Sequence, residues 1–336
     1  MKQNQSLARS SPPMEWVVRW TEDIREKGGR AVVVRLLVLW LLARNIFRKG
    51  NITATGGPVV SLTTYGARLK SVYLAIESIA AGSDRPSRLI LWLDEPELLG
   101  NLPPPLIRLQ RRGLEIRLTE KFGPHCKYYP YLITEACHSI PLVTADDDIL
   151  YPRWWLERLS RAYREHPADV NCYRARAVML EEDGDLRAYR QWPLCRSKEA
   201  RYSHLLTGVS GVVYPPELLD DLRRAGTGFM QVSPKADDLW LHAQAIRAGY
   251  KVRQVYIRPM HFPVVPGTGG SSLQASNVYA GRNDLQAKET YTETDIARMR
   301  LDYELSGEGG SCYRALGEGD VSDLVPVWTL FAGSTE

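Results

Sequence analysis

Residues 140–150 read IPLVTADDDIL, and the way this stretch is taken decides the fold. Ile140 to Thr144 is a short apolar run suited to a buried strand, and it passes straight into Asp146, Asp147 and Asp148. In an open α/β sheet, ligands bind outside the carboxyl ends of the strands. Adjacent carboxylates repel one another, and a divalent cation that also binds substrate phosphates relieves the repulsion; Mg²⁺ is typically held by one or two carboxylates plus phosphate oxygens. On an extended backbone the side chains alternate, so Asp146 and Asp148 face one side and Asp147 the other. The plainer reading is an acidic turn whose first carboxylate caps the next helix. Placement at the end of a fourth strand favours the ligand site.

Working outward, apolar strands and amphipathic helices alternate after the Gly56-Gly57-Pro58 break, as in βαβ units around a parallel sheet. Residues 58–63 (PVVSLT), 88–93 (RLILWL) and 114–118 (LEIRL) predict the earlier strands. Between the first two, Leu69, Val72, Tyr73, Ile76, Ile79 and Ala80 recur at helical spacing. A helix over 153–166 that buries Trp155, Leu156, Leu159 and Tyr163 follows the acidic triplet. The second half is less regular, with strands near 170–173, 207–214 and 252–256 and helices over 216–225 and 237–248, the last ended by Gly249. The fold class is therefore α/β, Rossmann-like, with a mostly parallel central sheet flanked by helices. An N-terminal basic and apolar helical segment takes residues 1–55, the α/β domain 56–265, and a flexible loop (PGTGGSS, 266–272) opens a C-terminal segment reaching 336. Beyond Gly307 that segment reads as a polar, mobile tail with a late apolar patch, Leu324 to Phe331.

With 336 residues, 44% of them apolar, the chain is able to bury a real core, which excludes disorder as its main state. Its 43 basic and 39 acidic residues leave a formal charge of +4, without the basic footprint of a nucleic-acid-binding protein. The cysteines, Cys126, Cys137, Cys172, Cys195 and Cys312, are odd in number and contain no CxxC pair. That argues against a disulfide framework and a zinc cluster, and for a reducing, cytoplasmic compartment. The compositional break is AVVVRLLVLWLLARNIF at 31–47, preceded by Arg19, Arg25, Lys27 and Arg30, with Arg44, Arg48 and Lys49 within or after it. Its uninterrupted apolar run, Leu36 to Ala43, is eight residues, against the ~20 that span a bilayer. Two readings stand ahead of a true anchor or signal peptide: a helix lying in the interface at the cytosolic face, cations toward anionic headgroups, and a helix packed on its own domain.

A second acidic pair, Asp237 and Asp238 in PKADDLW (234–240), opens a helix whose dipole keeps carboxylates ionised. A capping role explains one of them and does not need both. Thr63, Thr64 and Tyr65 end the first strand and Arg68 opens the next helix, a place able to receive a nucleotide's base and ribose. Lys127, in GPHCKY, is placed to neutralise diphosphate charge. The glycine-rich TGVSGV at 207–212 either lets an acceptor approach the backbone or is a kinked strand. His261, in RPMHFP, follows a predicted strand and precedes the glycine-rich loop.

The strand-terminal DDD, Asp94 at an earlier strand end and the acidic helix start, in this order and spacing, resemble the GT-A glycosyltransferases over roughly residues 59–262. The phrase DDDILYPRWWLERL is similar to bacterial surface-polysaccharide transferases of that superfamily. The resemblance implies a GT-A fold and a metal-dependent, inverting transfer of a sugar from a nucleotide-diphosphate donor to a hydroxyl of a glycan or glycolipid acceptor. It implies that Asp146 and Asp148 hold Mn²⁺ or Mg²⁺ on the donor diphosphate with His261 as a further ligand, and that Asp94, with Asp147 among the donor-side residues, faces the base or ribose. Residues 266–272 would close as a lid. It further implies Asp238 as the base that deprotonates the acceptor, with Asp237 capping the helix or holding the acceptor. The family's pair begins with Glu rather than Asp, which leaves open which of the two is the base. Two other classes compete. A metal-dependent nucleotidyltransferase or phosphoesterase predicts a glycine-rich phosphate loop after the first strand or further carboxylate and His ligands. A non-catalytic scaffold of a membrane glycan assembly predicts no metal-dependent nucleotide binding.

Overall fold

The computed structural model describes residues 15–268 and 281–305. A long helix, α1 (Glu15–Phe47), leads into β1 (Val59–Thr63), α2 (Val72–Ala80), β2 (Arg88–Leu93), α3 (Pro104–Gln110), β3 (Leu114–Leu118), α4 (Tyr129–Thr134), β4 (Leu142–Thr144) and α5 (Trp155–Glu165). The chain continues through β5 (Asp169–Cys172), β6 (Ala175–Ala177), β7 (His204–Leu206), β8 (Val212–Tyr214), α6 (Pro216–Ala225), α7 (Phe229–Val232), α8 (Asp237–Arg247), β9 (Lys251–Gln254), α9 (Arg282–Thr290) and α10 (Glu293–Leu305). The central sheet has seven strands in the order β3-β2-β1-β4-β8-β5-β9, and β6 and β7 form a separate ribbon. Parallel pairing sets Val60 of β1 opposite Leu89 of β2 and Val143 of β4, and Leu91 of β2 opposite Ile116 of β3. The α/β, Rossmann-like class and the mostly parallel sheet expected from the sequence are both present.

Period-two alternation sorts the strand residues onto two faces. Val60, Leu62, Leu89, Leu91, Val143 and Val213 pack against Val72, Ile76 and Ile79 of α2 and Leu156 and Leu159 of α5. Val59, Ile90, Trp92, Leu142, Val212 and Tyr214 face Leu218 and Leu222 of α6 and Trp240 and Leu241 of α8. β8 departs from the parallel rule, running antiparallel to both β4 and β5. This brings the residues that precede β8 to the same edge as the carboxyl ends of β4 and β5. The strand expected over 207–214 is accordingly broken by a 3-10 turn at Gly208–Ser210, followed by Gly211 at φ 103°. A Cβ on Gly211 would meet the Trp155 indole at 2.7 Å.

Two other departures concern the ends. Residues 282–305 form two helices: Met299 is fully buried against α8 and the β6–β7 ribbon, Asp295 pairs with Arg247 at 2.7 Å, and Asp302 accepts the Ser203 N–H at 2.7 Å. Of the expected lid, 266–268 are described and 269–272 lie outside the described residues, as do the tail beyond Gly307, Leu324–Phe331 and Cys312. At the other end, the C-terminal part of α1 is docked. Leu37 and Leu41 are buried with Leu74 of α2, Leu150 and Val265, each full leucine burial being worth ~1.5–3 kcal/mol. Asn45 donates to the buried Glu77 carboxylate at 2.9 Å, which also pairs with Arg112 and, at 3.4 Å, with Arg44. The side of α1 away from this contact leaves Val32, Leu36, Leu39, Trp40, Ile46 and Phe47 exposed. Among the described residues, no helix is long and apolar enough to cross a membrane.

Candidate active site

The acidic triplet leaves β4 at the carboxyl edge, and its three side chains find different partners. Asp146 Oδ1 is 3.2 Å from Lys127 Nζ. The same ammonium is 2.9 Å from Asp237 Oδ2 at the start of α8. Two acidic motifs some ninety residues apart in sequence thus meet on one enclosed cation. Lys127 is carried by a 3-10 turn, Gly123–Lys127. That turn is tied to the approach to α8 because His125 Nε2 donates to the Ser233 carbonyl at 2.9 Å. Burial works against the Lys127 charge, but Asp146, Asp237 and Asp238 outweigh it and hold the ammonium well above its ordinary value.

Asp238 is half-buried and accepts the Gly208 N–H at 2.9 Å. Burial, reinforced by the charge of Asp237, pushes its carboxyl up to about 7. The expectation that the helix dipole keeps both carboxylates ionised fails for Asp238, since the field of a helix terminus is worth ~0.3–1 kcal/mol at an exposed site and desolvation costs more. Asp237 is not a helix cap either; Ala236 holds that position and no side chain makes a capping bond. Gly208 is a glycine for a local reason, because a Cβ there would lie 2.8 Å from Lys127 Nζ and 3.2 Å from Asp238 Oδ1. What closely approaches the TGVSGV backbone in the structure is the carboxylate of Asp238 rather than an acceptor.

Asp147, 5% exposed, accepts the Thr64 hydroxyl at 2.6 Å and Arg68 at 2.8 Å. The same Arg68 nitrogen lies 3.1 Å from Asp148 Oδ2. Strict alternation therefore does not hold: Asp147 and Asp148 sit in a turn, which swings Asp148 onto the cation that holds Asp147. Burial first and then the charge of Asp146 push Asp148 up to about 6. The Thr63 hydroxyl donates to the Trp92 carbonyl of the neighbouring strand at 3.1 Å, so of the two threonines it is Thr64 that reaches the triplet. Tyr65 is 42% exposed under the Arg68 guanidinium, 5.6 Å from the ring centre. Asp94 keeps a buried Oδ1 that has no hydrogen-bond partner among the described residues, an acceptor matched to a ribose hydroxyl or base N–H.

His261 is half-buried on a segment that turns back beside the triplet, where the Val265 N–H donates to the Asp148 carbonyl at 2.6 Å. No three His, Cys, Asp or Glu side chains converge as metal ligands among the described residues, so the expected Asp146–Asp148–His261 set is not assembled. Asp146 is drawn to Lys127 and Asp148 to Arg68. The carboxylates nonetheless fit a divalent ion of the Mg²⁺ or Mn²⁺ kind, because two acidic groups with substrate phosphates suffice and Asp146 and Asp148 stand close enough to repel one another.

Sequence reading missed His125, Arg174 and Tyr189. Arg174 follows β5, and its guanidinium donates to Thr207 Oγ1 at 3.2 Å, one residue before the glycine that holds Asp238. The alternating cations of Tyr173-Arg-Ala-Arg176 after a strand were the available signal.

Neither a family model nor a curated protein matches the chain. Among solved structures it is similar to a mannosyltransferase from Pyrobaculum calidifontis in complex with GDP-mannose and Mn²⁺, with a TM-score of 0.43 and 12% identity over 86% of this chain and 82% of that one. It is also similar to a CMP:2-keto-3-deoxy-manno-octonic acid synthetase complexed with CTP, with a TM-score of 0.36 and 13% identity over 69% of this chain and 97% of that one. No residue role is carried over from either.

Proposed function

We propose that the protein is a metal-dependent, inverting glycosyltransferase of the GT-A type, moving a sugar from a nucleotide-diphosphate donor to a hydroxyl of a glycan or glycolipid acceptor in surface-glycan synthesis. The observation that carries this reading is Lys127, which holds the strand-terminal Asp146 and the helix-initial Asp237 within 3.2 Å and 2.9 Å while Asp238 lies beside them. One edge of the sheet thus presents carboxylates for a phosphate-bound cation next to a half-buried carboxylate suited to proton transfer.

Asp238 takes the proton of the acceptor hydroxyl; a carboxyl near 7 is matched to that task at neutral pH. The Gly208 N–H fixes the oxygen that faces it, leaving the other for the acceptor. Lys127 keeps the charge of three carboxylates tolerable and lies where leaving phosphate oxygens would pass. Asp147, clamped by Thr64 and Arg68, orients the triplet, and Asp94 receives the nucleoside. Asp146 and Asp148 would hold Mn²⁺ or Mg²⁺, which when bound would supply Lewis-acid stabilisation of the departing diphosphate. The exposed apolar stripe of α1, bordered by exposed Arg35, Arg48 and Lys49, supports attachment to an anionic bilayer surface on the cytosolic side.

The test is a screen of nucleotide sugars for Mn²⁺-dependent release of nucleoside diphosphate, followed by the Asp238→Asn variant on the donor found. Donor binding should persist and transfer should fall by the ~10²-fold or more that general base catalysis contributes. Pyrophosphate released from a nucleoside triphosphate and a sugar phosphate would instead identify a nucleotidyltransferase. A rate near that of the wild type in both Asp238→Asn and Asp237→Asn would overturn the inverting mechanism.

A further inference from the structure

The strand order divides the carboxyl edge into two halves. On one side of the acidic triplet, β1 and β2 present Thr64, Arg68 and Asp94, the polar groups assigned above to the nucleotide. On the other, the turn before β8 and the end of β5 present Gly208, Asp238 and Arg174. Arg174 belongs to the second half by direct bonds: its carbonyl accepts the Thr207 N–H at 3.0 Å and its guanidinium donates to Thr207 Oγ1 at 3.2 Å.

Arg174 makes no ion pair among the described residues. After burial, the charge that bears on it most is a second cation. Arg176, two residues along, donates to the Trp192 carbonyl at 2.6 Å and lies over the Tyr189 ring, 5.5 Å from its centre. The Tyr189 hydroxyl in turn has no partner among the described residues. Burial and the Arg176 charge push the Arg174 guanidinium down to about 10. A half-buried guanidinium whose opposing charge, Asp238, stands outside ion-pair distance is only partly compensated, and neutral sugar hydroxyls, which solvate a guanidinium no better than water, do not change that. A phosphate or carboxylate does, through the paired N–H···O bonds that guanidinium geometry favours.

We infer that the acceptor carries an anionic group, a phosphate or a carboxylate, and that Arg174, supported by Arg176 and the Tyr189 hydroxyl, receives it beside Asp238. The inference rests on the reading of Asp238 as the base, because that fixes which half of the edge the acceptor occupies. The anion also orients the acceptor, holding its nucleophilic hydroxyl toward the carboxylate.

The experiment titrates the full-length protein, with saturating Mn²⁺ and nucleoside diphosphate filling the donor half, against glucose 6-phosphate, methyl glucuronide and methyl glucoside by saturation-transfer NMR. At least one anionic probe should bind tenfold or more tightly than the neutral glycoside; the phosphate and carboxylate arms tell which anion the site takes. Arg174→Met should abolish the preference and Arg174→Lys should retain part of it, with nucleoside diphosphate binding unchanged in both as the sign of an intact fold. Equal binding of charged and neutral probes, or a preference that survives Arg174→Met in folded protein, overturns the inference. Absence of Mn²⁺-dependent nucleoside diphosphate binding in the wild type would instead remove the transferase reading, so the two failures are distinguishable.

Discussion

A single carboxylate, Asp148, exposes how the acidic triplet works. It is half-buried, repelled by Asp146 and steadied by one Arg68 nitrogen at 3.1 Å. Asp148→Ala removes one prospective ligand, and Mn²⁺-dependent nucleoside diphosphate binding should weaken beyond detection in titration calorimetry; an unchanged isotherm would reject the assignment. Two buried histidines make a second, independent case. His125 and His242 each donate from Nε2 to a carbonyl, Ser233 at 2.9 Å and Tyr202 at 2.8 Å, and accept at Nδ1 from the hydroxyls of Tyr128 and Tyr291. Burial holds both neutral, pushing them from 6.5 down to about 4. Above pH 6.5 they are uncharged in the folded and unfolded chain and contribute nothing. As pH falls from 6.5 toward 4, the unfolded chain takes protons that the folded one refuses, so stability drops by ~1.4 kcal/mol per pH unit for each histidine and levels off below. Urea midpoints measured from pH 7.5 to 5 should fall accordingly, and His242→Gln, which has no proton to gain, should flatten the slope. An equal slope in that variant would refute the linkage.

Helix α1 has two working sides. Its inner side spends buried Leu37, Leu41 and Asn45 on α2 and its neighbours, whereas Val32, Leu36, Leu39, Trp40, Ile46 and Phe47 lie on the outer one at spacings that share a helix face. The sequence offers packing and interface attachment as competing readings; the inner face is packed, and the exposed apolar outer face leaves attachment compatible with it. Leu36→Glu with Trp40→Glu should abolish flotation with phosphatidylglycerol vesicles while leaving the melting temperature nearly unchanged, since both side chains are exposed. Leu41→Ala should do the reverse, costing ~2–5 kcal/mol through the cavity it opens without weakening flotation. Persistent flotation of the double variant would remove the outer face from membrane binding. The β8 element teaches a related lesson. TGVSGV was read as a possible strand or a site of close approach, and Gly211 at positive φ makes it a turn followed by a strand, something that depends on the Trp155 indole packed where a Cβ would be.

For the molecule as a whole, the proposed donor site joins segments from β1, β2, β4, the Lys127 turn and α8, so a ligand that binds there would report on global unfolding. Nucleoside diphosphate with Mn²⁺ at a hundredfold excess over Kd should add ~2.7 kcal/mol of stability and raise the melting temperature by several degrees, and either component alone should add much less. No shift with any nucleotide would favour the scaffold alternative.

The α/β class, the early strands and the acidic motifs were legible in the chain because each is written locally: a period of two or 3.6 and a change of residue type at a strand end are carried by neighbouring residues. Asp146, Asp148, Asp238, Asp94 and Lys127 could be picked out for that reason. Their pairing could not, since whether Lys127 meets Asp146, Asp237 or neither depends on the antiparallel insertion of β8 and on the His125–Ser233 bond. The tertiary structure alone also turned Thr64 rather than Thr63 onto Asp147, brought Asp148 onto Arg68, and left Arg174 without an ion pair among the described residues. The physical reason is common to all of these: hydrogen bonds and ion pairs are decided over a few ångströms in space, and residues that far apart in sequence acquire their distances only when the sheet is assembled.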